Sequence, residues 1–232
     1  MSNNLNKIKV ICFDYYGTLV DMDKPFEKIK KWLELKYIGI EIGSNKLFLT
    51  FMKKVAVLST QSFQNGNVIL LSSYIHICDR YEIDCYKQEF IEYIEHLFMD
   101  VNAYNDARFI IDELKKRYRV GLITNADNYI LYESIRKQNF SFDFVVSSED
   151  AQCNKPGVEI YDFARKKLKV SYNEMLMIGD SQVDDIYGAS KQGIPAIWIN
   201  RGKKTMEDCS CSPSVYFEVQ DLKGILNIMT NR

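Results

Sequence analysis

Excess charge of one sign is missing from this chain: 30 Lys and Arg stand against 31 Asp and Glu in 232 residues, a formal net charge of −1. A basic footprint for nucleic acid or anionic membrane is therefore not expected. Long apolar runs are also missing. The greasiest stretch, Val68 to Cys78, contains two serines and a histidine and is too short and polar to span a bilayer. The opening residues, Met1-Ser2-Asn3-Asn4-Leu5-Asn6-Lys7, carry no apolar signal-peptide core. Together these absences lead to the expectation of a soluble, cytoplasmic protein. Cysteine is scarce, six residues in all, which cannot make a disulfide scaffold in a chain of this length. Cys12 reads as a small core residue. Cys209 and Cys211 form a C-x-C beside Ser-Pro, but no second pair and no histidine lies near, which argues against a metal there. The two histidines, His76 and His96, fall at helical positions where packing or a surface contact accounts for them. No internal repeat or low-complexity tract is visible.

What is present is enough apolar material for a sizeable core: 47% of the residues, with 26% charged. The length fits one large α/β domain or a core with an insertion. Phe26, Ile29, Leu33 and Tyr37 lie on one helical face, and Leu47, Phe51, Val55 and Leu58 repeat that spacing, as do Phe90, Ile94 and Leu97. Val68 to Tyr81 is apolar enough for a buried helix, although pattern alone does not exclude a strand. Gly39, Gly43 and Gly66 mark breaks. Residues 22–98 thus read as a separate helical bundle.

From Ala103 onward strands and helices alternate. Ala107, Ile110, Ile111 and Leu114 make an amphipathic helix, followed by a strand over Arg119–Thr124. A helix is expected over Ile130–Gln138, a strand over Phe142–Ser147, and a helix over Val158–Leu168 with Pro156 in its first turn. Met175–Ile178 should be a strand, Asp185–Gln192 a helix and Ala196–Asn200 the next strand. Such alternation argues for a doubly wound parallel sheet in an α/β fold. The expected organisation is a core made of residues 1–21 and 99–232, with the 22–98 bundle inserted after the first strand.

Lys9-Val10-Ile11-Cys12-Phe13-Asp14-Tyr15-Tyr16-Gly17-Thr18-Leu19-Val20-Asp21 is the most informative segment. An apolar run delivers a carboxylate onto a glycine turn, at the strand edge where open α/β sheets bind ligands. Thr124 ends its strand before Asn125, so a hydroxyl and the next backbone N–H can cradle an anion; the same residues could equally cap the following helix. Lys155 stands in Asn154-Lys155-Pro156-Gly157. In Gly179-Asp180-Ser181-Gln182-Val183-Asp184-Asp185 three carboxylates crowd a strand end, and oxygen-rich clusters suit Mg²⁺. A solvated acidic cap would explain Asp184 well but Asp180 poorly, because Asp180 directly follows an apolar strand.

In this order these segments resemble the haloacid dehalogenase (HAD) superfamily, over most of the chain outside residues 22–100. The resemblance implies a Rossmann-like core with a helical cap that closes over the substrate. It casts Asp14 as the nucleophile, Thr124, Asn125, Lys155 and Tyr16 as the residues that meet the substrate, and Asp14, the Tyr16 carbonyl, Asp180 and Asp185 as the Mg²⁺ site. The phosphatase branch normally reads Asp-x-Asp, and its second Asp protonates the leaving group. Here that position is Tyr16, as in the 2-haloacid dehalogenase branch.

The two ends of the motif set thus point to different branches. Dehalogenases of this superfamily work without metal and typically have Ser and Asn where Gly179 and Asp180 stand. They also use an arginine early in the cap, and residues 22–79 contain none. The expectation is accordingly a Mg²⁺-dependent hydrolase of small phosphomonoesters, acting as monomer or homodimer through an aspartyl-phosphate. The alternatives are a 2-haloacid dehalogenase and a catalytically idle binding protein. Tyr16 is the weak step, since a phenol with a reference pKa of about 10 is a poor base at neutral pH.

Overall fold

The computed structural model describes residues 2–205 and 216–230, so the Cys209–Cys211 pair lies outside the described residues. Six parallel strands form one sheet in the order β3-β2-β1-β4-β5-β6. They are β1 (Val10–Phe13), β2 (Arg119–Thr124), β3 (Phe144–Ser147), β4 (Met175–Gly179), β5 (Ala196–Ile199) and β6 (Tyr216–Val219). Every residue of β1, β4 and β5 is buried, as expected of parallel strands covered on both faces, and this explains their unbroken apolar runs. Phe13 pairs with Leu122 on one side and Ile178 on the other, so β2 runs two residues past the end of β1, to Thr124, and β4 one, to Gly179. The chain winds outward from β1 in both directions. The carboxyl edge beside β1 and β4 is therefore the switch point where such sheets hold ligands.

The helices are α1 (Asp23–Lys36), α2 (Ser44–Ser59), α3 (Gly66–Tyr81), α4 (Lys87–Met99), α5 (Ala107–Lys115), α6 (Asn128–Lys137), α7 (Ser148–Ala151), α8 (Val158–Leu168), α9 (Gly188–Lys191) and α10 (Lys223–Thr230). The chain divides into two compact units. An α/β unit takes residues 1–21, 102–125 and 139–232; a helical unit takes 22–101 and 126–138. The second range of the helical unit differs from the contiguous bundle expected from periodicity, because α6 joins it. Asp127 explains this: its two carboxylate oxygens accept the Gly66 and Asn67 amides at the start of α3, at 2.6 and 2.8 Å. Gln138 adds a bond to the Val101 carbonyl at 2.6 Å.

The core of the helical unit gathers Ile29, Leu33, Leu47, Phe51, Tyr74, Ile77, Phe90 and Ile94. Tyr74 and Phe90 stack with centroids 4.2 Å apart, and the buried Tyr74 hydroxyl lies 2.6 Å from that of Tyr37. Tyr37 donates to the Asp84 carbonyl at 2.7 Å, so Tyr74 donates to Tyr37 and accepts the Tyr86 amide. Both phenols are satisfied without charge, and burial holds both above their usual pKa.

Among the differences from the sequence expectation, three concern the edge of the sheet and the helices beside it. β3 starts at Phe144 rather than Phe142, because the Asp143 carboxylate takes the Val120 amide and ends the ladder there. Pro156 precedes the N-cap Gly157 instead of sitting in the first turn of α8. The segment 185–192 is not one α-helix. A π-helical turn over Gln182–Tyr187 leads into α9, with the Asp185 and Ile186 amides both reaching back to the Ser181 carbonyl.

Candidate active site

The three strand ends carry the site, and all of its residues belong to the α/β unit. Asp14 follows β1 and its amide still pairs with the Ile178 carbonyl at 2.8 Å, so the ladder itself orients the residue. Its Oδ1 accepts from the Lys155 ammonium at 2.8 Å and from the Thr124 hydroxyl at 3.1 Å. Thr124 is the last residue of β2 and is buried, as are Asp14 and Lys155. Lys155 also donates to Asp185 Oδ1 at 2.6 Å, while Asp185 Oδ2 accepts the Ser181 amide at 3.0 Å. The wide turn after Ser181 is what folds Asp185 back beneath the end of β4. Gly179 makes this possible: a Cβ there would lie 2.0 Å from Asp185 Oδ2.

Thr18 joins the remaining carboxylate. Its hydroxyl lies 3.2 Å from Asp14 Oδ2 and 3.1 Å from Asp180 Oδ1, and it accepts the Asp180 amide at 3.1 Å. One hydroxyl has one proton, so only one of the two carboxylates receives it at a time. The other needs a proton or a cation. Gly17, at φ +93°, supplies the tight turn between Asp14 and Thr18, and a Cβ on it would meet the Asp180 carboxylate at 2.8 Å.

Electrostatics describes the same shortage of positive charge. One oxygen from each of Asp14, Asp180 and Asp185 lies within 4.8 Å of the others. The described ion pairs give these three a single partner, Lys155. Burial and the neighbouring Asp14 charge push the Asp180 carboxyl up to about 6, against the Thr18 bond. Burial pushes Asp185 up to about 8 in spite of Lys155. Burial alone would lower the Lys155 ammonium, but Asp14 and Asp185 outweigh it and keep its pKa raised. The ammonium stays protonated and the proton deficit falls on the carboxylates. All-oxygen donors, too few positive charges and an orphaned lone-pair contact are the chemistry a hard divalent cation satisfies.

Five sequence-expected residues, Asp14, Thr124, Lys155, Asp180 and Asp185, meet in this cluster, Asp185 with both oxygens engaged. Asp184 lies outside it, its amide held by Ser181 Oγ and its carbonyl by the Tyr161 hydroxyl. Asn125 departs from expectation. Its side-chain amide is spent on the Lys155 backbone, accepting from N at 2.7 Å and donating to O at 3.1 Å, so it positions the lysine. Tyr16 packs its ring edge-on against Tyr15, centroids 4.9 Å apart. Cys12 is a buried core thiol, its pKa raised by that burial.

Two residues escape sequence reasoning. Thr18 stands in the Asp-Tyr-Tyr-Gly-Thr string, yet only the fold reveals that it bridges Asp14 and Asp180. Arg201, just after β5, donates to the Thr18 carbonyl at 3.3 Å, pairs with Asp106 at 3.5 Å and stacks its guanidinium 3.7 Å over Tyr104. Nothing in the local sequence marks it.

The haloacid dehalogenase-like hydrolase family matches this chain over residues 11–199. The glyceraldehyde 3-phosphate phosphatase of Pyrococcus abyssi is 25% identical over 229 residues, covering 97% of this chain and 94% of that protein. The (S)-2-haloacid dehalogenase 2 of Pseudomonas sp. (strain CBS-3) is 20% identical over 228 residues, covering 96% and 97%. Among solved structures, the magnesium-bound HAD-hydrolase YfnB of Bacillus subtilis superposes with a TM-score of 0.79 at 17% identity, covering 96% of this chain and 99% of that one.

Proposed function

The chain belongs to the haloacid dehalogenase-like hydrolases, and we propose that within this family it is a Mg²⁺-dependent phosphatase of small phosphomonoesters. One observation carries the reading: three buried or half-buried carboxylates have ligand oxygens within 4.8 Å of one another, and the one lysine among them pairs with only two, Asp14 and Asp185. A metal-free displacement on carbon has no use for that arrangement, whereas a divalent cation makes it stable. Asp14 and Asp180, with the Tyr16 carbonyl, would hold the ion beside Asp185, and Mg²⁺ when bound would supply charge neutralisation for the phosphoryl oxygens.

The chain's own groups do the rest. Lys155 and the Thr124 hydroxyl fix the Asp14 carboxylate and face the transferred group. Asp14 attacks phosphorus in line, forming an acyl-phosphate bond as the ester P–O bond breaks and the leaving oxygen takes up a proton from solvent water. Water then attacks that phosphorus, breaking the acyl-phosphate bond and returning Asp14 as a carboxylate with release of inorganic phosphate. Asn125 and Asp185 keep Lys155 in place for both steps. The substrate would be a small phosphorylated metabolite met in the cytoplasm, and the Pyrococcus relative makes triose phosphates the first class to try.

A second reading has its own support. Tyr16 stands where a phosphatase acid is expected, and the relative named (S)-2-haloacid dehalogenase 2 aligns along 96% of this chain. A screen of phosphomonoesters with Mg²⁺ and with EDTA, run beside 2-chloropropionate, separates the two. Phosphate release that vanishes in EDTA is the expected result. Halide release unaffected by EDTA would overturn it.

A further inference from the structure

We propose that the groove between α2 and α3 is a binding site for a small polyanion carrying contiguous phosphates, separate from the Asp14 cluster. The groove has a volume of about 260 Å³ and is lined by Thr50, Lys53, Lys54, Val57, His76 and Arg80, all within the helical unit. Thr50, Lys53, Lys54 and Val57 occupy one face of α2 at i, i+3, i+4 and i+7. His76 and Arg80 face them from α3 at i and i+4. Three permanent cations and an imidazole thus converge on one concave surface that has no carboxylate in its lining.

The convergence of unpaired cations on one concavity is what makes this informative. Some helix-surface cations elsewhere take acidic partners: Lys36 with Glu89, Lys116 with Glu113, Arg136 with Glu133, and Arg165 and Lys166 with Asp162. Among the described residues Lys53, Lys54 and Arg80 have none. Asp79 adjoins Arg80 in sequence but does not line the groove. Like charges crowded on neighbouring turns repel, so the fold tolerates a cost here that a bound anion would relieve. The Tyr81 ring steadies one end. Its hydroxyl donates to Thr50 Oγ1 at 2.9 Å, and Arg80 and Lys46 both lie 5.8 Å from its centroid. The Thr50 hydroxyl is spent on the Lys46 carbonyl, so recognition rests on charge and on the lysine, arginine and imidazole N–H groups.

A single monoanion would leave most of that charge uncompensated, and the groove is too compact to follow a nucleic-acid strand. A di- or triphosphate moiety matches both the charge and the volume. It can come from a nucleotide or from inorganic polyphosphate, which share the chemistry. The test is calorimetric titration of the full chain in EDTA at low salt with tripolyphosphate, ATP and AMP, comparing the parent with a Lys53→Glu/Arg80→Glu variant. Expected are binding of tripolyphosphate by the parent, at least tenfold weaker binding by the variant, and little binding of AMP to the groove in either. ATP matching tripolyphosphate would identify the phosphates as the recognised part; ATP binding much the tighter would place a nucleotide there. The KM for p-nitrophenyl phosphate should be the same in both proteins, because neither residue belongs to the Asp14 cluster, and the variant should melt no lower than the parent, because it relieves the repulsion among the groove's cations. Equal affinity and stoichiometry in parent and variant would overturn the proposal, assigning any uptake to the Lys155 site. So would no binding in either, or a Lys53/Arg80-dependent affinity for single-stranded RNA without affinity for tripolyphosphate.

Discussion

At the scale of single residues the question is which groups share too few protons and cations. Asp14 has Lys155, Thr124 and Thr18 around it, so its carboxylate is held in one orientation before any substrate arrives. Asp14→Asn keeps that shape and removes the nucleophile. Turnover should fall by roughly 10³-fold or more, with the melting profile close to that of the parent. Residual activity within tenfold of wild type would sink the covalent mechanism. Tyr16→Asp asks a different question, since it restores the acid expected of a phosphatase. General acid assistance is worth about 10²–10⁴ in rate, so alkyl phosphates, whose leaving groups need a proton, should gain more than aryl phosphates. Steady-state rates on one substrate of each type give the ratio. A ratio that stays flat in a folded, Mg²⁺-binding variant would mean Tyr16 does not occupy an acid's place. The residues legible in the sequence are those anchored to strand ends, Asp14, Thr124 and Asp180, with Lys155 read from its Lys-Pro pair. Arg201 was not legible, because a lone arginine in a loop has no periodic or spaced partner, and its contacts with Thr18 and Asp106 are made by the fold.

At the scale of elements, legibility followed burial. β1 and β4 are covered on both faces and read as continuous apolar runs; α1, α2 and α4 bury one stripe and read as helices. α3 buries Ile69, Ser73, Tyr74, Ile77 and Cys78, enough of its circumference to blur the period and leave strand as an option. The π-helical turn at Gln182 was invisible because it depends on Ser181 and Asp185 meeting beneath Gly179. The allegiance of α6 was hidden for a similar reason: it rests on Asp127 capping the start of α3, sixty residues away in the chain. That cap is testable. Two backbone donors lose a charged acceptor in Asp127→Ala, and cap losses typically cost about 1–2 kcal/mol. The denaturation midpoint should drop accordingly, and hydrogen exchange should speed up at the Gly66 and Asn67 amides first. Unchanged protection at those two amides would mean the bonds contribute nothing to holding α3.

At the scale of the whole molecule, the carboxylate cluster makes stability depend on pH and on metal together. Asp180 and Asp185 have pKa values raised to about 6 and about 8, above an unfolded Asp near 3.9. Between those limits the folded state binds more protons than the unfolded one. The metal-free protein therefore loses stability as pH rises from about 4 to about 8. Asp162 and Glu174, lowered to about 2 by their partners, act in the opposite sense but below that window, and the raised Lys155 acts above it. A cation that binds the ionised cluster stabilises only the folded state, and it competes with the same protons. Thermal melts in EDTA should accordingly decline from about pH 5 to about pH 8, and the rise in melting temperature on adding Mg²⁺ should be small at the acid end and grow towards the alkaline end. Asp180→Asn supplies the control. It removes one of the crowded charges, so without metal it should melt above the parent at the alkaline end, by an amount on the order of 2 kcal/mol. At the acid end, where the parent's Asp180 is already protonated, that advantage should shrink. The same variant should need far more Mg²⁺ to show any shift. If the parent's melting temperature responds equally to Mg²⁺ at both ends of the range, or if Asp180→Asn responds as the parent does, the ion is bound elsewhere and the cluster is not its site.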